Sequence, residues 1–313
     1  MYRSKALKIV CLLGLLVVPA MAKERRAKPP RFGADSFRGV FFEDLSESVA
    51  ATRPSVQALR GIRPQVAGAA AGGDDAEESA EPGGQWSKLA SAQSIEDEIK
   101  RQKLKFDADV AQPGAFKSGG YVNARTELSI LATLFGVVAS YEGDIRWKEQ
   151  AEAARNVLAR TAGNCNSGSI QVFNECKSRK QDLDDLLRGA SLSSPPAAEQ
   201  SDWSMIADRS VLMSYLETLS KEELPALTND DSGVKESPDK VKQFGDMVAI
   251  VGSVLIQEGM DEYDDEEYVA LSKQMLDAAL LIGQAAQQGD PDAARKAVGM
   301  VNQSCDACHE QYR

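Results

Sequence analysis

Residues Gly289 to Arg313 read G-D-P-D-A-A-R-K-A-V-G-M-V-N-Q-S-C-D-A-C-H-E-Q-Y-R. Gly289 is placed to stop one helix, and Asp290-Pro291 to start the next with an N-cap and a proline at the first helical position. Ala294, Ala297, Val298, Val301, Cys305 and Cys308 then recur at helical spacing, which predicts an amphipathic helix with these side chains as its buried stripe. Cys305, Cys308 and His309 form C-x-x-C-H, the spacing for covalent haem attachment. Two thiols add across the two haem vinyl groups, and the adjacent imidazole comes under the iron. On a helix the positions i, i+3 and i+4 share one face, so all three groups meet one flat object. His309 is the only histidine in the chain, so no other imidazole can take that role. Other uses of a C-x-x-C pair are a redox dithiol, a structural disulfide or half of a zinc site. A zinc site needs two more ligands, which Cys165 and Cys176 could supply as a four-thiolate set.

Working outward, 313 residues are about enough for two domains. With 43 % hydrophobic residues, substantial cores can form. The formal net charge of −11 and a pI near 4.8 argue against nucleic acid and favour a cationic or neutral partner. Runs rich in Ala, Leu, Glu, Lys and Gln favour helix. Arg3, Lys5 and Lys8 precede the apolar stretch Ile9 to Pro19, and Ala20-Met21-Ala22 reads as an A-x-A cleavage site. Residues 1–22 are therefore expected to be a signal peptide, which removes Cys11 and places the mature chain in the periplasm or another exported compartment. No later segment reads as long and apolar enough to span a membrane.

Residues 23–63 form an N-terminal extension that includes the apolar patch Phe37 to Leu45, and 64–85 a disordered linker around Pro82-Gly83-Gly84. A second break, 189–200, contains Ser193-Ser194-Pro195-Pro196. The compact units between are 86–188 and 201–313. They read as copies: Trp86-Ser87-Lys88-Leu89-Ala90 answers Trp203-Ser204-Met205-Ile206-Ala207, and Ile95 and Ile99 answer Leu212 and Leu216 at the same offset. In the second unit four helices are expected. The first runs from about Trp203 to Ser220 with Ser201 or Asp202 as N-cap. The second starts at Ser237-Pro238 and carries the stripe Phe244, Val248, Val251 and Leu255. The third follows the acidic loop Asp261 to Glu267, and the fourth bears the haem motif. Short turns between long amphipathic helices imply an antiparallel bundle.

Here the second unit resembles cytochrome c′, the class II c-type cytochromes, in having its haem motif near the C-terminus followed by H-x-x-Y-R at His309, Tyr312 and Arg313. The resemblance is clear over Trp203 to Arg313 and weak over Trp86 to Arg188. It implies an all-α fold of two tandem antiparallel four-helix bundles. One covalent haem c with its iron is implied for the second bundle, with Arg313 close to the proximal His309. It also implies that Arg209 and, four residues on, Met213 face the haem, Met213 as an iron ligand or as the residue blocking that side. Ile206, Arg209, Met213 and Leu216 share one helical face, on which an arginine asks for an acidic partner such as a haem propionate. Met205 and Met247 compete with Met213 for the iron. In the first unit Cys176-Lys177-Ser178-Arg179-Lys180 stands where haem cysteines are expected, and Ala92 and Glu96 answer Arg209 and Met213. No haem is expected there. Cys165 and Cys176 are candidates for a disulfide in an oxidising compartment.

The leading expectation is an exported monohaem electron carrier, not an enzyme: no distal histidine or other acid–base pair supports peroxidase chemistry. A redox partner protein, with a basic one matching the acidic loop, and a homodimer are the assemblies considered. One alternative is a five-coordinate haem protein that binds nitric oxide or carbon monoxide. Another is a zinc- or disulfide-stabilised helical interaction protein.

Overall fold

The computed structural model describes residues 86–192 and 202–312, which lie in one compact unit. The leader 1–22, the extension 23–63, the linker 64–85, most of the break 189–200 and Arg313 lie outside the described residues. The class is all-α, with no strand among the described residues. A helical turn at Trp86–Leu89 precedes α1 (Ala92–Asp109), α2 (Tyr121–Ala139), α3 (Ala151–Asn164) and α4 (Ile170–Leu187). A second turn at Trp203–Ile206 precedes α5 (Arg209–Thr218), α6 (Pro238–Val254), α7 (Glu266–Gln288) and α8 (Pro291–His309).

The helix starts follow from side-chain caps, each of which satisfies an amide that the helix leaves unpaired. Ser91 accepts from the Ser94 amide, Ser169 from Val172, Asp208 from Ser210 and Asp290 from Ala293. Asp265 accepts from the amides of Glu267 and Tyr268. Gly289 ends α7 at φ 65°, a left-handed conformation that glycine takes without Cβ strain. Pro291 then opens α8 where its missing N–H costs nothing. α6 and α7 approach closely through Gly245 and Gly252. A Cβ at Gly245 would come within 3.1 Å of the Ala279 carbonyl and the Ile282 side chain, and one at Gly252 within 3.1 Å of Met275.

The expected stripe on α6 is buried, but so is the rest of that helix from Gln243 to Val254. The reason is a second neighbour: α6 packs on α7 on one side and on α1, from the first half of the chain, on another. The centre of that contact is polar. The Glu98 carboxylate is fully buried and accepts five hydrogen bonds: two from Arg101, and one each from Gln102, Gln243 and the Tyr215 hydroxyl, at 2.6–2.8 Å. Arg101 also bonds Glu223 at 2.7 Å and lies over the Phe244 ring.

Three expectations are corrected. The helix expected over Trp203 to Ser220 breaks, because Ala207 is extended and Asp208, not Ser201 or Asp202, supplies the side-chain cap. Ile206 therefore does not share a helix with Arg209, Met213 and Leu216. Beyond Thr218 the helix does not stop near Ser220 but continues through a π-helical turn, Leu219–Glu223, into Leu224–Thr228. Finally, Pro113–Ala139 is long and apolar enough for a membrane span, contrary to the sequence reading; 72 % of its most apolar window is buried inside the bundle, which explains the apolarity by core packing.

Cys165, just after α3, and Cys176 in α4 are buried with their sulfurs 3.4 Å apart, both as free thiols. The hydrogen bond between them lowers the Cys165 thiol and raises Cys176, and burial raises the latter further. Material oxidised in an exported compartment should have lost two hydrogens from intact mass and gained about 2–4 kcal/mol of stability over the Cys176→Ser variant. Alkylation of both thiols in freshly denatured, unreduced protein would count against this.

Candidate functional site

One cavity of about 260 Å³ gathers most of the sequence candidates. α8 supplies Cys305, Cys308 and His309; α5 supplies Met213 and Leu216; α7 supplies Tyr268, Leu271 and Met275; Leu255, just after α6, and Ser220 and Lys221 of the π-helical turn complete much of the wall. The α8 residues arrive on one face because the helix runs unbroken from Pro291 to His309. Ala294, Ala297, Val298 and Val301 are buried as the stripe requires, but Cys305 and Cys308 are only half-buried. The difference has a simple cause: below them is the cavity rather than a neighbouring helix. His309 is exposed at its rim. Burial pushes both thiols above their ordinary range.

Of the methionines, Met213 is half-buried and lines the cavity, whereas Met205 is 74 % exposed and Met247 is wholly buried in the core; neither of these two lines it. Met275 is a second thioether in the wall that the sequence reading did not weigh. Its signal was its place on the inner stripe of α7, with Tyr268, Ser272 and Ala279. Lys221 is a cation beside the cavity and was likewise not weighed; the π-helical turn that presents it has no sequence marker.

Arg209 finds its acidic partner in the protein. Its guanidinium pairs with the Glu262 carboxylate, donates to the Tyr312 carbonyl at 3.5 Å and stacks 4.9 Å from the Tyr268 ring centroid. Tyr312 donates its hydroxyl to Asp265 at 2.6 Å, which raises its ionisation to about 12, and its ring stands edge-on to Tyr268 at 5.2 Å. Gln311 donates to Glu267. The acidic loop thus clasps the end of α8: Glu262, Asp265 and Glu267 are engaged within the chain, while Asp261, Asp264 and Glu266 stay exposed and unengaged by these bonds.

The first half differs at every corresponding point. Counted from the N-caps Ser169 and Asp290, the level of Cys305, Cys308 and His309 on α8 is that of Asp184, Leu187 and Arg188 on α4, not that of Cys176. Asp184 is paired with Lys103 at 2.5 Å and Lys180 at 3.1 Å. Glu96, which answers Met213, accepts from the Arg146 amide at 3.2 Å. Among the described residues no three of His, Cys, Asp or Glu gather as a metal-ion site, so the four-thiolate arrangement is not brought together.

The donor set fits a covalently held haem. Two free thiols and one imidazole edge a single apolar cavity, and a thioether stands in its wall. Soft sulfur and imidazole are both ligands that iron accepts in such proteins. No curated protein and no solved structure matches the chain. The family model for cytochrome c′ matches residues 263–313, from the acidic loop through α7 and α8. The C-terminal region is therefore of cytochrome c′ type, a c-type haem cytochrome segment whose family holds haem c covalently.

Proposed function

We propose that the chain is an exported monohaem cytochrome that carries electrons and transforms no substrate. The observation that supports it most is the meeting of Cys305, Cys308, His309 and Met213 around one cavity. When bound there, haem supplies one-electron exchange between ferric and ferrous iron. In this reading Cys305 and Cys308 hold it through two thioether bonds, His309 offers its imidazole and Met213 its sulfur. A thioether ligand favours the ferrous state and raises the potential. Leu216, Leu255, Leu271 and Met275 exclude water, which favours the less charged state in the same direction. The matching order of the long helices, and the side-chain caps shared by α1 with α5 and by α4 with α8, support a duplicated unit, and the Asp184–Lys103 pair supports a haem count of one.

A pyridine haemochrome assay with intact mass on matured protein should give one haem c per chain and a mass lacking the leader. The test of Met213 is its replacement by alanine. The ferric optical spectrum should pass from low to high spin, and carbon monoxide should bind the ferrous protein about a hundredfold faster once the competing sulfur is gone, an estimate scaled to a ligand worth about 3 kcal/mol. An unchanged spectrum together with rapid carbon monoxide binding by the wild type would replace the electron carrier by a gas-binding protein.

A further inference from the structure

Residues 117 apart meet across the contact between the two halves. The rings of Trp86 and Trp203 are 5.7 Å apart at their centroids, and 203 − 86 = 117. The Tyr215 hydroxyl donates to Glu98 at 2.7 Å, and 215 − 98 = 117. The caps follow suit. Asp208, which caps α5, pairs with Arg125 of α2 at 3.0 Å. Its counterpart Ser91, which caps α1, donates its amide to Asp246 of α6, itself paired with Lys242, and 242 − 125 = 117. Self-to-self contact of this kind is what a two-fold axis produces in an isologous dimer, where a residue meets its own copy and flanking residues meet in exchanged pairs.

We infer that residues 86–187 occupy the place of a second copy in a two-fold pair, and that this built-in partner positions α5, the helix that brings Met213 to the cavity. The second clause rests on the function proposed above. α5 is cut off from the preceding turn by the extended Ala207, and after Thr218 its helical backbone widens into the π-helical turn before continuing to Thr228. The π-helical turn interrupts the regular hydrogen-bond ladder beside α5, so its placement depends on what packs against it. Four side chains of the first half hold it and the turn that follows: Arg125 at its cap, Glu98 at Tyr215, and Arg101 and Lys105 at Glu223. Tyr215 is two residues from Met213, hence on the other side of the helix. One side faces the first half and the other the cavity, so the depth of Tyr215 in its interface sets the depth of Met213 in the wall. The positions that answer haem-facing residues have meanwhile become ion-paired, as at Glu96 and Asp184. The first half keeps the interface and has given up the site.

The test uses the full matured chain. Light scattering should give the mass of one chain at micromolar concentration, since the surface a second copy would use is covered. Tyr215→Phe and Glu98→Gln should each speed carbon monoxide association with the ferrous protein about tenfold, of the order expected for one buried hydrogen bond. The double variant should add little to either, because the two residues act as one contact. Ser169→Ala removes a cap in the first half and lowers stability without touching α5; it should leave the rate unchanged. A wild-type dimer, or rates in Tyr215→Phe and Glu98→Gln equal to wild type, would overturn the inference. The spectrum of Met213→Ala judges iron ligation separately. If that spectrum does not move, ligation by Met213 fails, while the rate past the Met213 and Leu216 wall still decides whether the first half positions α5.

Discussion

Replacing Cys305 and Cys308 together with alanine is expected to leave the purified protein at apoprotein mass, with no haem c in a pyridine haemochrome assay. Both thioether bonds come from these two sulfurs, and Cys165 and Cys176 cannot substitute. They are buried against each other in the first half. His309→Ala should be as severe at the iron, because the chain holds no second histidine. Its covalent haem can persist through the thiols, so the two variants separate by assay: the cysteine pair sets haem content, and the imidazole sets the spectrum and potential. Haem c at full yield in the double cysteine variant would end the proposed function. The loss should also reach the fold. The cavity walls of α5, α7 and α8 would face water instead of a bound apolar surface, and a ligand held only by the native state stabilises that state by mass action.

The second large effect is expected far from the cavity. Arg101→Ala should cost about 3–5 kcal/mol of stability in denaturant titration at neutral pH, because it leaves the buried Glu98 charge without its cation. In the wild type, burial pushes the Glu98 carboxyl up, but the bonds from Arg101, Gln102 and Tyr215 outweigh it and hold the group below its ordinary value of 4.5. A carboxyl lowered in the folded state contributes stability that is fully present above 4.5 and is lost as the pH falls through the folded value. The variant should behave in the opposite sense. Its unpaired Glu98 is raised by burial, so the deficit against wild type should shrink between pH about 7 and about 5 as the carboxyl takes a proton. A deficit constant over that range would mean that the loss comes from packing of Arg101 on Phe244 instead of from charge. Replacing Glu98 and Arg101 together by apolar residues of similar volume should recover much of the loss, since the desolvation penalty leaves with the charges.

Much of the second half was legible in the sequence. Gly289, Asp290 and Pro291 announce a helix boundary in the residue types that a left-handed C-terminus, a cap and a first turn each require, and the structure has all three there. The start of α6 at Ser237-Pro238 was equally plain, although Ser237 caps through position alone, without a side-chain bond. The first helix was not. Ala207 and Asp208 sit inside an apolar pattern that continues across the break, so periodicity joined what the backbone separates. The level of Cys176 was misjudged because a lone cysteine carries no register of its own: it stands seven residues beyond the cap of α4, whereas Cys305 stands fifteen beyond the cap of α8. Arg209 had its need for an acid written in its surroundings, but Glu262, supplied by a loop fifty-three residues on, was not named.

What the sequence determined by itself was local and covalent. It set the spacing of two thiols and one imidazole along a helix, the caps and stops that bound that helix, and the all-helical class, because each depends on residues within a few turns of one another. Which sulfurs face the cavity and which lie in the core, and the joining of both halves through one buried carboxylate, were decided only in three dimensions. A methionine carries no mark of its neighbours, and a buried charge is stable only where donors from distant parts of the chain converge on it.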